Sequence, residues 1–561
     1  MSSFRPEDPG LPRIPPDRAR EYRDRGWWRP ERVDRLVLRH VDEDPEKEAV
    51  RGPGGRLTRR ELADAVAGAA ARLAGLGIAR GDRVLVQLPN DLELVVLPLA
   101  LMRLGAHPVM AVPTLRRREL LAVVAATRPT AVAVPRRWQR FDHVALAREL
   151  RESCPSIRRI LVADRTSDAV PEGTEDLVEL CRPDPGARPL PDLGPPLADE
   201  PAVFLLSSGT TGPPKAIARA HEGYGYMIRT AARWAGLSPD TVYLAVMSGA
   251  HGFVLNCPGM FGVLAFGGRV VLGSPGDPGA ALDLIDREGV THTTLVPALV
   301  TQWLSEVGQR GRGPTSLRVL QAGGARLEPA PAAEAHKLLG CTVQQCYGMS
   351  EGLLTYTALD DSGDVIAHTQ GRPASPGDEI RIVNEDGTVV APGATGELLT
   401  RGPYTVAGYY AAPEADARAF TDDGFYRTGD LVRLHPSGGL VVEGRTGDVV
   451  NRGGEKISAG EIESLLAEHP LLRAVAAVAM PHPVWGQTVC VFAVPCDPEK
   501  QPTLLGLRRF LTEHGVATYK LPEELRVVDA LPMIGVGKIN RVALRAAAAD
   551  RQAREEREPI P

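Results

Sequence analysis

Short apolar runs alternate with amphipathic stretches over the first part of the chain, up to about residue 322. Arg83-Val84-Leu85-Val86-Gln87-Leu88, Thr130–Val134 and Ala202-Val203-Phe204-Leu205-Leu206 are brief, apolar and rich in β-branched residues, which predicts buried strands. Between them lie helical patterns. Thr58 stands three residues before Glu61, a capping-box signal for a helix that runs through Ala-rich sequence to Leu76 and is closed by Gly77 and Gly81. Leu92–Leu104 and Leu120–Arg128 read as further helices, with the apolar segment Pro108–Val112 between them. After a Pro- and Asp-rich surface excursion over Pro171–Pro201, the same alternation returns at Leu282–Glu288, Thr293–Val296, Ala298–Val307 and Arg318–Gln321. Strand and helix in turn predict parallel sheets with helices on both faces.

The pattern changes twice. From about Ala374 to Glu443, short alternating strands are punctuated by glycine, as in Glu379-Ile380-Arg381-Ile382-Val383 and Leu440-Val441-Val442-Glu443. That predicts an antiparallel, barrel-like section. From about 448 to 545 a separate small unit follows, with helices near Ala459–Glu468 and Leu505–His514 and strands near Val475–Met480 and Val489–Val494. The predicted fold class is α/β. Residues 1–445 form a large N-terminal domain of stacked parallel α/β sheets plus the barrel-like section, and residues 446–561 form a small α+β C-terminal domain. The charged end, Arg551–Pro561, is expected to fray.

Composition narrows the function classes. The chain has 561 residues, 43% of them hydrophobic and 24% charged, which is ordinary for a soluble globular protein, and its net charge of −5 gives no support for a nucleic-acid-binding surface. The seven cysteines show no paired C-x-x-C spacing, so reduced thiols in a cytoplasmic protein are expected. No apolar signal segment follows Met1. The most apolar stretch, Leu92 to Val112, is interrupted by Glu93, Arg103 and Pro108, which suits a buried helix and strand and not a membrane span. Near the N-terminus, Trp27-Trp28 is expected to anchor a Pro-rich segment by apolar burial.

Candidate chemistry begins after the strand 202–206, at Ser207-Ser208-Gly209-Thr210-Thr211-Gly212-Pro213-Pro214-Lys215. Glycines permit sharp bends and close approach to a ligand. Backbone N–H groups and hydroxyls can converge on an anion, and Lys215 adds a positive charge. The loop lacks the Gly-Lys-Ser/Thr ending of a Walker A motif, because Pro214 and Ala216 flank the lysine. Further on, Tyr347-Gly348-Met349-Ser350-Glu351 offers a flat ring for a purine and a carboxylate suited to Mg²⁺. Asp430, in Tyr426-Arg427-Thr428-Gly429-Asp430, suits a pair of ribose hydroxyls. Gly444-Arg445-Thr446-Gly447-Asp448 lies where the text changes character, and Asn451-Arg452-Gly453-Gly454-Glu455-Lys456 carries a glycine pair. Lys538 sits in Gly535-Val536-Gly537-Lys538. Each of these, alone, is equally a surface turn or a solvated lysine.

Taken in order, these stretches resemble the adenylate-forming superfamily of acyl-CoA synthetases, peptide-synthetase adenylation domains and luciferases, from about Trp27 to about Arg545. Within it, Ile217–His221, His251-Gly252-Phe253-Val254-Leu255-Asn256-Cys257-Pro258-Gly259, Asn451–Lys456 and Tyr22–Trp28 look like the stand-alone aryl-acid–AMP ligases of siderophore pathways. The resemblance implies ATP and Mg²⁺, and a small mobile domain that rotates about a hinge near Gly447. Ser207, Ser208, Gly209, Thr210, Thr211, Lys215, Gly323, Gly324, Ala325, Tyr347, Gly348, Asp430 and Arg445 would then bind ATP. Lys538, His251 and Glu351 would be catalytic, with Glu351 on Mg²⁺. Gly453 and Gly454 would line a pantetheine tunnel. The expected partners are an aromatic acid and a separate phosphopantetheinylated aryl carrier protein, with free CoA as the alternative acceptor.

His251, Gly252, Phe253, Cys257, Cys346 and Gly348 would line the acid pocket. Relatives that activate 2,3-dihydroxybenzoate tend to carry Asn in place of Gly252 and Ser in place of Cys257. A thiol is a poor hydrogen-bond partner for a 3-hydroxyl. Salicylate or a substituted salicylate is therefore expected. Gly252 leaves room for a methyl group or a second ring, and 2,3-dihydroxybenzoate, 3-hydroxyanthranilate and hydroxy-pyridine or hydroxy-quinoline carboxylates stay as alternatives.

Overall fold

The computed structural model describes residues 8–166, 169–207, 214–274, 276–445, 449–534 and 538–555. The apolar runs of the first part build two large sheets among these residues. A nine-stranded sheet carries, from one edge, Arg372–Pro373, Gly352–Tyr356, Thr342–Met349, Val319–Ala322, His292–Leu295, Val242–Ala245, Arg269–Leu272, Glu48–Gly52 and Gly55–Thr58. Its centre, from Thr342–Met349 to Arg269–Leu272, is parallel. A seven-stranded sheet runs Ala216–Ala220, Pro201–Leu206, His107–Met110, Arg83–Val86, Ala131–Pro135, Arg159–Ala163 and Glu175–Asp176.

Local signals place the helices. Thr58 accepts a hydrogen bond from the Glu61 N–H at 3.2 Å, and Glu61 accepts one from the Thr58 N–H at 2.8 Å, so the capping box forms as read. The helix Leu92–Leu104 is capped by Asp91 and ends at Gly105, whose φ of 78° needs a residue without Cβ. Almost all of it is buried between layers, which is why it lacks a polar face. No helix of the described residues is long and apolar enough to cross a membrane. Trp28 is buried and donates its indole N–H to the Pro403 carbonyl at 2.7 Å, while Trp27 stacks on Tyr226.

The glycine-punctuated section is a four-stranded antiparallel meander: Glu379–Val383, Gly396–Arg401, Tyr426–Leu434, Leu440–Arg445. Its end strands do not pair with each other among the described residues, so it is an open sheet where a barrel-like section was expected. The C-terminal part builds its own sheet from Glu455–Ser458, Val449–Arg452, Gly486–Pro495, Leu472–His482 and Glu524–Val527. Its core holds Ile457, Ile462, Leu466, Val491 and Leu507. All seven cysteines are free, and six are buried.

Candidate active site

The loop predicted to cradle an anion joins two antiparallel strands, Pro201–Leu206 and Ala216–Ala220, and the next helix begins only at His221. Its stem is tied on both sides. The Ser207 N–H donates to the Lys215 carbonyl at 2.9 Å, and the Lys215 N–H donates to the Ser207 hydroxyl at 3.0 Å. Ser208, Gly209, Thr210 and Thr211 lie outside the described residues. Lys215 places its ammonium 5.4 Å from the centre of the Tyr409 ring. Burial lowers its pKa, and the nearby Glu351 carboxylate opposes that shift. Tyr409 donates its hydroxyl to Glu351 Oε1 at 2.8 Å. Burial and that carboxylate raise the Tyr409 pKa, so the phenol stays neutral and remains a donor.

Tyr347 and Asp430 form a second unit. Both were read as turn residues, yet both lie within strands, Thr342–Met349 and Tyr426–Leu434. The Tyr347 hydroxyl donates to Asp430 Oδ2 at 2.6 Å. A bulge aims Asp430. The pairing slips opposite Leu398, Gly429 takes φ 67°, and the Asp430 N–H donates to the Thr428 hydroxyl at 3.0 Å. Arg445 is the register partner of Asp430, and its side chain lies outside the described residues.

These units open into one cavity of about 880 Å³. Of the residues singled out from sequence, it brings together Ser207, Lys215, His251, Gly252, Phe253, Cys257, Gly324, Ala325, Cys346, Tyr347, Gly348, Glu351, Asp430, Gly453 and Gly454. Gly323 lies just behind the wall, where a Cβ would come within 2.7 Å of the Phe253 ring. Gly348 has no room for one either, with Leu354 at 2.6 Å. His251 caps the short helix Gly252–Asn256 by accepting from the Phe253 N–H at 3.2 Å. His251 is exposed where it lines the cavity, and desolvation there lowers its pKa.

The end of the cavity beside Phe253 is apolar, formed by Leu205, Met227, Cys257 and Cys346. Burial pushes the Cys257 thiol up to about 12, and raises Cys346 well above the ordinary thiol range. Both are therefore neutral fillers at neutral pH and not nucleophiles. Sequence reading assigned no role to Tyr409, Asn256, Tyr356 or Trp485, all of which line the cavity. Asn256 lies inside a quoted motif, but the others belong to none.

The C-terminal part enters through the hairpin Val449–Ser458. Gly453 and Gly454 form its turn with φ 57° and 93°, a pair of left-handed positions that suits a two-residue hairpin loop. Gly454 approaches Val296 and Gly324, and Lys456 donates to the Gly324 carbonyl at 3.3 Å. The Gly453 N–H donates to the Trp485 carbonyl at 2.8 Å. Lys538 lies in the short strand Lys538–Ile539, and its side chain is outside the described residues. Gly447 also falls outside the described residues. Among the described residues no three His, Cys, Asp or Glu side chains gather as a metal cage. Glu351 lines the cavity, and its carboxylate is the kind of oxygen ligand that suits Mg²⁺, which commonly takes one or two carboxylates together with substrate phosphates.

A family model described as AMP-binding enzyme matches residues 37–410, and one described as AMP-binding enzyme C-terminal domain matches residues 461–538. The chain is 48% identical over 535 residues to a salicylyl-CoA synthase / salicylate adenylyltransferase of a Streptomyces species, covering 95% of this chain and 96% of that protein. It is 45% identical over 549 residues to 2-hydroxy-7-methoxy-5-methyl-1-naphthoate–CoA ligase of Streptomyces carzinostaticus, covering 97% and 98%. It is 41% identical over 540 residues to a salicyl-AMP ligase / salicyl-S-ArCP synthetase of Mycobacterium tuberculosis, covering 95% and 94%. Among solved structures, apo MbtA of Mycobacterium smegmatis aligns with a TM-score of 0.73 at 41% identity, over 96% of this chain and 99% of that one.

Proposed function

The chain belongs to the family of AMP-binding enzymes, and on that premise we propose that it adenylates an aromatic carboxylic acid with ATP and passes the acyl group to a pantetheine thiol. One observation carries this reading. A single cavity joins a charged end, with Lys215, Glu351 and Asp430, to an apolar end of ring-sized groups around Phe253, Cys257 and Cys346. The favoured acid is salicylate or a substituted salicylate, because two of the relatives above are named for salicylate and because Cys257 gives a 3-hydroxyl no strong partner.

In the first step the carboxylate oxygen attacks the α-phosphorus of ATP, the bond to the bridging oxygen breaks, and pyrophosphate leaves. Two anions must meet, so positioning and charge offset dominate. The Ser207–Lys215 loop would hold the β- and γ-phosphates. Asp430 and Tyr347, already paired, would hold ribose and face adenine, with Gly323, Gly324 and Ala325 alongside. Mg²⁺ held at Glu351 would offset phosphate charge. Lys538, on the C-terminal domain, would bridge the carboxylate and the α-phosphate region. That requires the domain, residues 446–561, to turn about Gly447, since the Gly453–Gly454 hairpin occupies this side of the cavity.

In the second step a pantetheine sulfur attacks the acyl carbonyl and AMP leaves. The hairpin arrangement seen here suits that step, because two glycines without side chains leave a narrow entry. The acceptor is the phosphopantetheine of a separate aryl carrier protein in siderophore or non-ribosomal peptide synthesis. Free CoA is a second reading, favoured by the two relatives whose names include CoA. Free cysteines and use of ATP suit a cytoplasmic enzyme.

The test is Lys538→Ala. Pyrophosphate exchange with salicylate should fall by about 10²–10³-fold, with thermal unfolding unchanged. Exchange at the wild-type rate would remove Lys538 from the mechanism.

A further inference from the structure

The apolar end of the cavity holds a polar group without a counterpart among the described residues. Tyr356, on the strand Gly352–Tyr356, lines the cavity and is completely buried, and its hydroxyl has no hydrogen-bond partner among the described residues. It is the register partner of Cys346 on the neighbouring strand, and burial raises its pKa, so it stands beside that thiol as a neutral phenol. Leaving such a donor unpaired in a dry site is unfavourable, and native proteins rarely do so without a use for it.

Asn256 adds a second polar group, next to Cys257. It is buried and lines the cavity. Its Oδ1 accepts from the Tyr224 hydroxyl at 2.6 Å and keeps a lone pair. Its Nδ2 meets only sulfur, Cys257 Sγ at 3.2 Å and Met227 Sδ at 4.0 Å, both weak acceptors. Nothing stands between this amide and the space left by Gly252, where a Cβ would lie 3.8 Å from Asn256 Oδ1.

We propose that Tyr356, with Asn256 as its companion, determines specificity by hydrogen-bonding a hydroxyl on the ring of the aryl acid. This rests on the aryl-acid reading and deepens it. A ring hydroxyl both donates and accepts, so it satisfies the Tyr356 donor and replaces the sulfur contacts of Asn256. An unsubstituted ring would leave both groups unmatched, which is how a buried polar site rejects a ligand. The pocket is thus selective for hydroxylated aryl acids even though its walls are thiol, thioether and hydrocarbon.

Tyr356→Phe deletes the one oxygen and keeps the shape. Wild type and variant are compared in pyrophosphate exchange with benzoate, salicylate and 3-hydroxybenzoate, and by thermal unfolding. Wild type should prefer a hydroxylated acid to benzoate. In the variant kcat/KM for that acid should fall about 10- to 100-fold, while benzoate stays within about threefold. The unfolding temperature should hold or rise, because the hydroxyl has no partner in the protein to lose. Asn256→Leu should lower the same preference. A preference that survives Tyr356→Phe within about threefold, benzoate activity lost in parallel, or a wild type indifferent to the hydroxyl would each overturn the proposal and leave adenylation standing. Absence of exchange with every aryl acid in folded wild type would instead remove the aryl-acid reading beneath it.

Discussion

In the proposed acid pocket, Cys257 acts through what it withholds. Its thiol is neutral, held up to about 12 by burial, and sulfur pairs weakly with a phenol. Cys346 is committed elsewhere, since its Sγ lies 3.3 Å from the Ala322 carbonyl. Polar recognition therefore falls to Asn256 and Tyr356. At this scale the sequence is legible where a side chain carries its chemistry in a recognisable run, as Lys215, Tyr347, Glu351 and Asp430 do. It is less so where the meaning depends on who the neighbours are. Tyr409 orients Glu351 and faces Lys215, and Tyr356 lines the cavity opposite Cys346, yet each reads in sequence as one aromatic in a strand or loop. A missing partner, which is what distinguishes Tyr356, has no sequence signature at all.

At the scale of elements, periodicity located the strands and helices well, and two of the departures have one cause. Tyr347 and Asp430 were assigned to turns because glycine follows or precedes them, whereas both glycines sit inside ladders that tolerate a bulge. The turn Ser375–Asp378 allows a quantitative test of an element. Asp378 accepts from the Ser375 N–H at 3.1 Å and from the Tyr404 hydroxyl, while burial pushes its pKa up to about 7. In the unfolded chain an aspartate titrates near 3.9. Between those values the folded chain holds a proton that the unfolded chain has released, so stability falls as pH rises through this window. The full difference is about 4 kcal/mol above pH 7. Asp378→Asn cannot ionise. Its stability relative to wild type, from urea unfolding, should rise between about pH 4 and pH 7 and then level off. A relative stability flat with pH would show that Asp378 stays ionised in the fold.

The whole molecule depends on how its two parts meet. Lys520 is almost completely buried at the seam. Its ammonium lies 3.0 Å from Glu119, on the helix Arg117–Thr127 of the large domain, and 3.0 Å from Glu461 of the small one. Glu119 also accepts from the Ala517 N–H at 3.2 Å, and Arg118 approaches Glu461 at 3.6 Å. Removing one member of such a buried set strands the others, at a cost of about 3–5 kcal/mol. Lys520→Met should therefore loosen the arrangement that presents Gly453 and Gly454 to the cavity. Thioester formation should slow while pyrophosphate exchange persists. Equal loss of both half-reactions would mean that the cluster supports the fold and not this domain orientation. The division into a large and a small part was legible from the change of pattern, but this seam was not, because its four charges, at positions 118, 119, 461 and 520, have no common motif.

Pyrophosphate exchange with a panel of aromatic acids tests the central claim most directly. Salicylate and 6-methylsalicylate should support ATP–pyrophosphate exchange, and 2,3-dihydroxybenzoate should do so poorly. Hydroxy-quinoline and hydroxy-pyridine acids test the space beside Gly252. A folded chain that binds ATP but exchanges with none of these acids would contradict the assignment of the pocket to aryl acids.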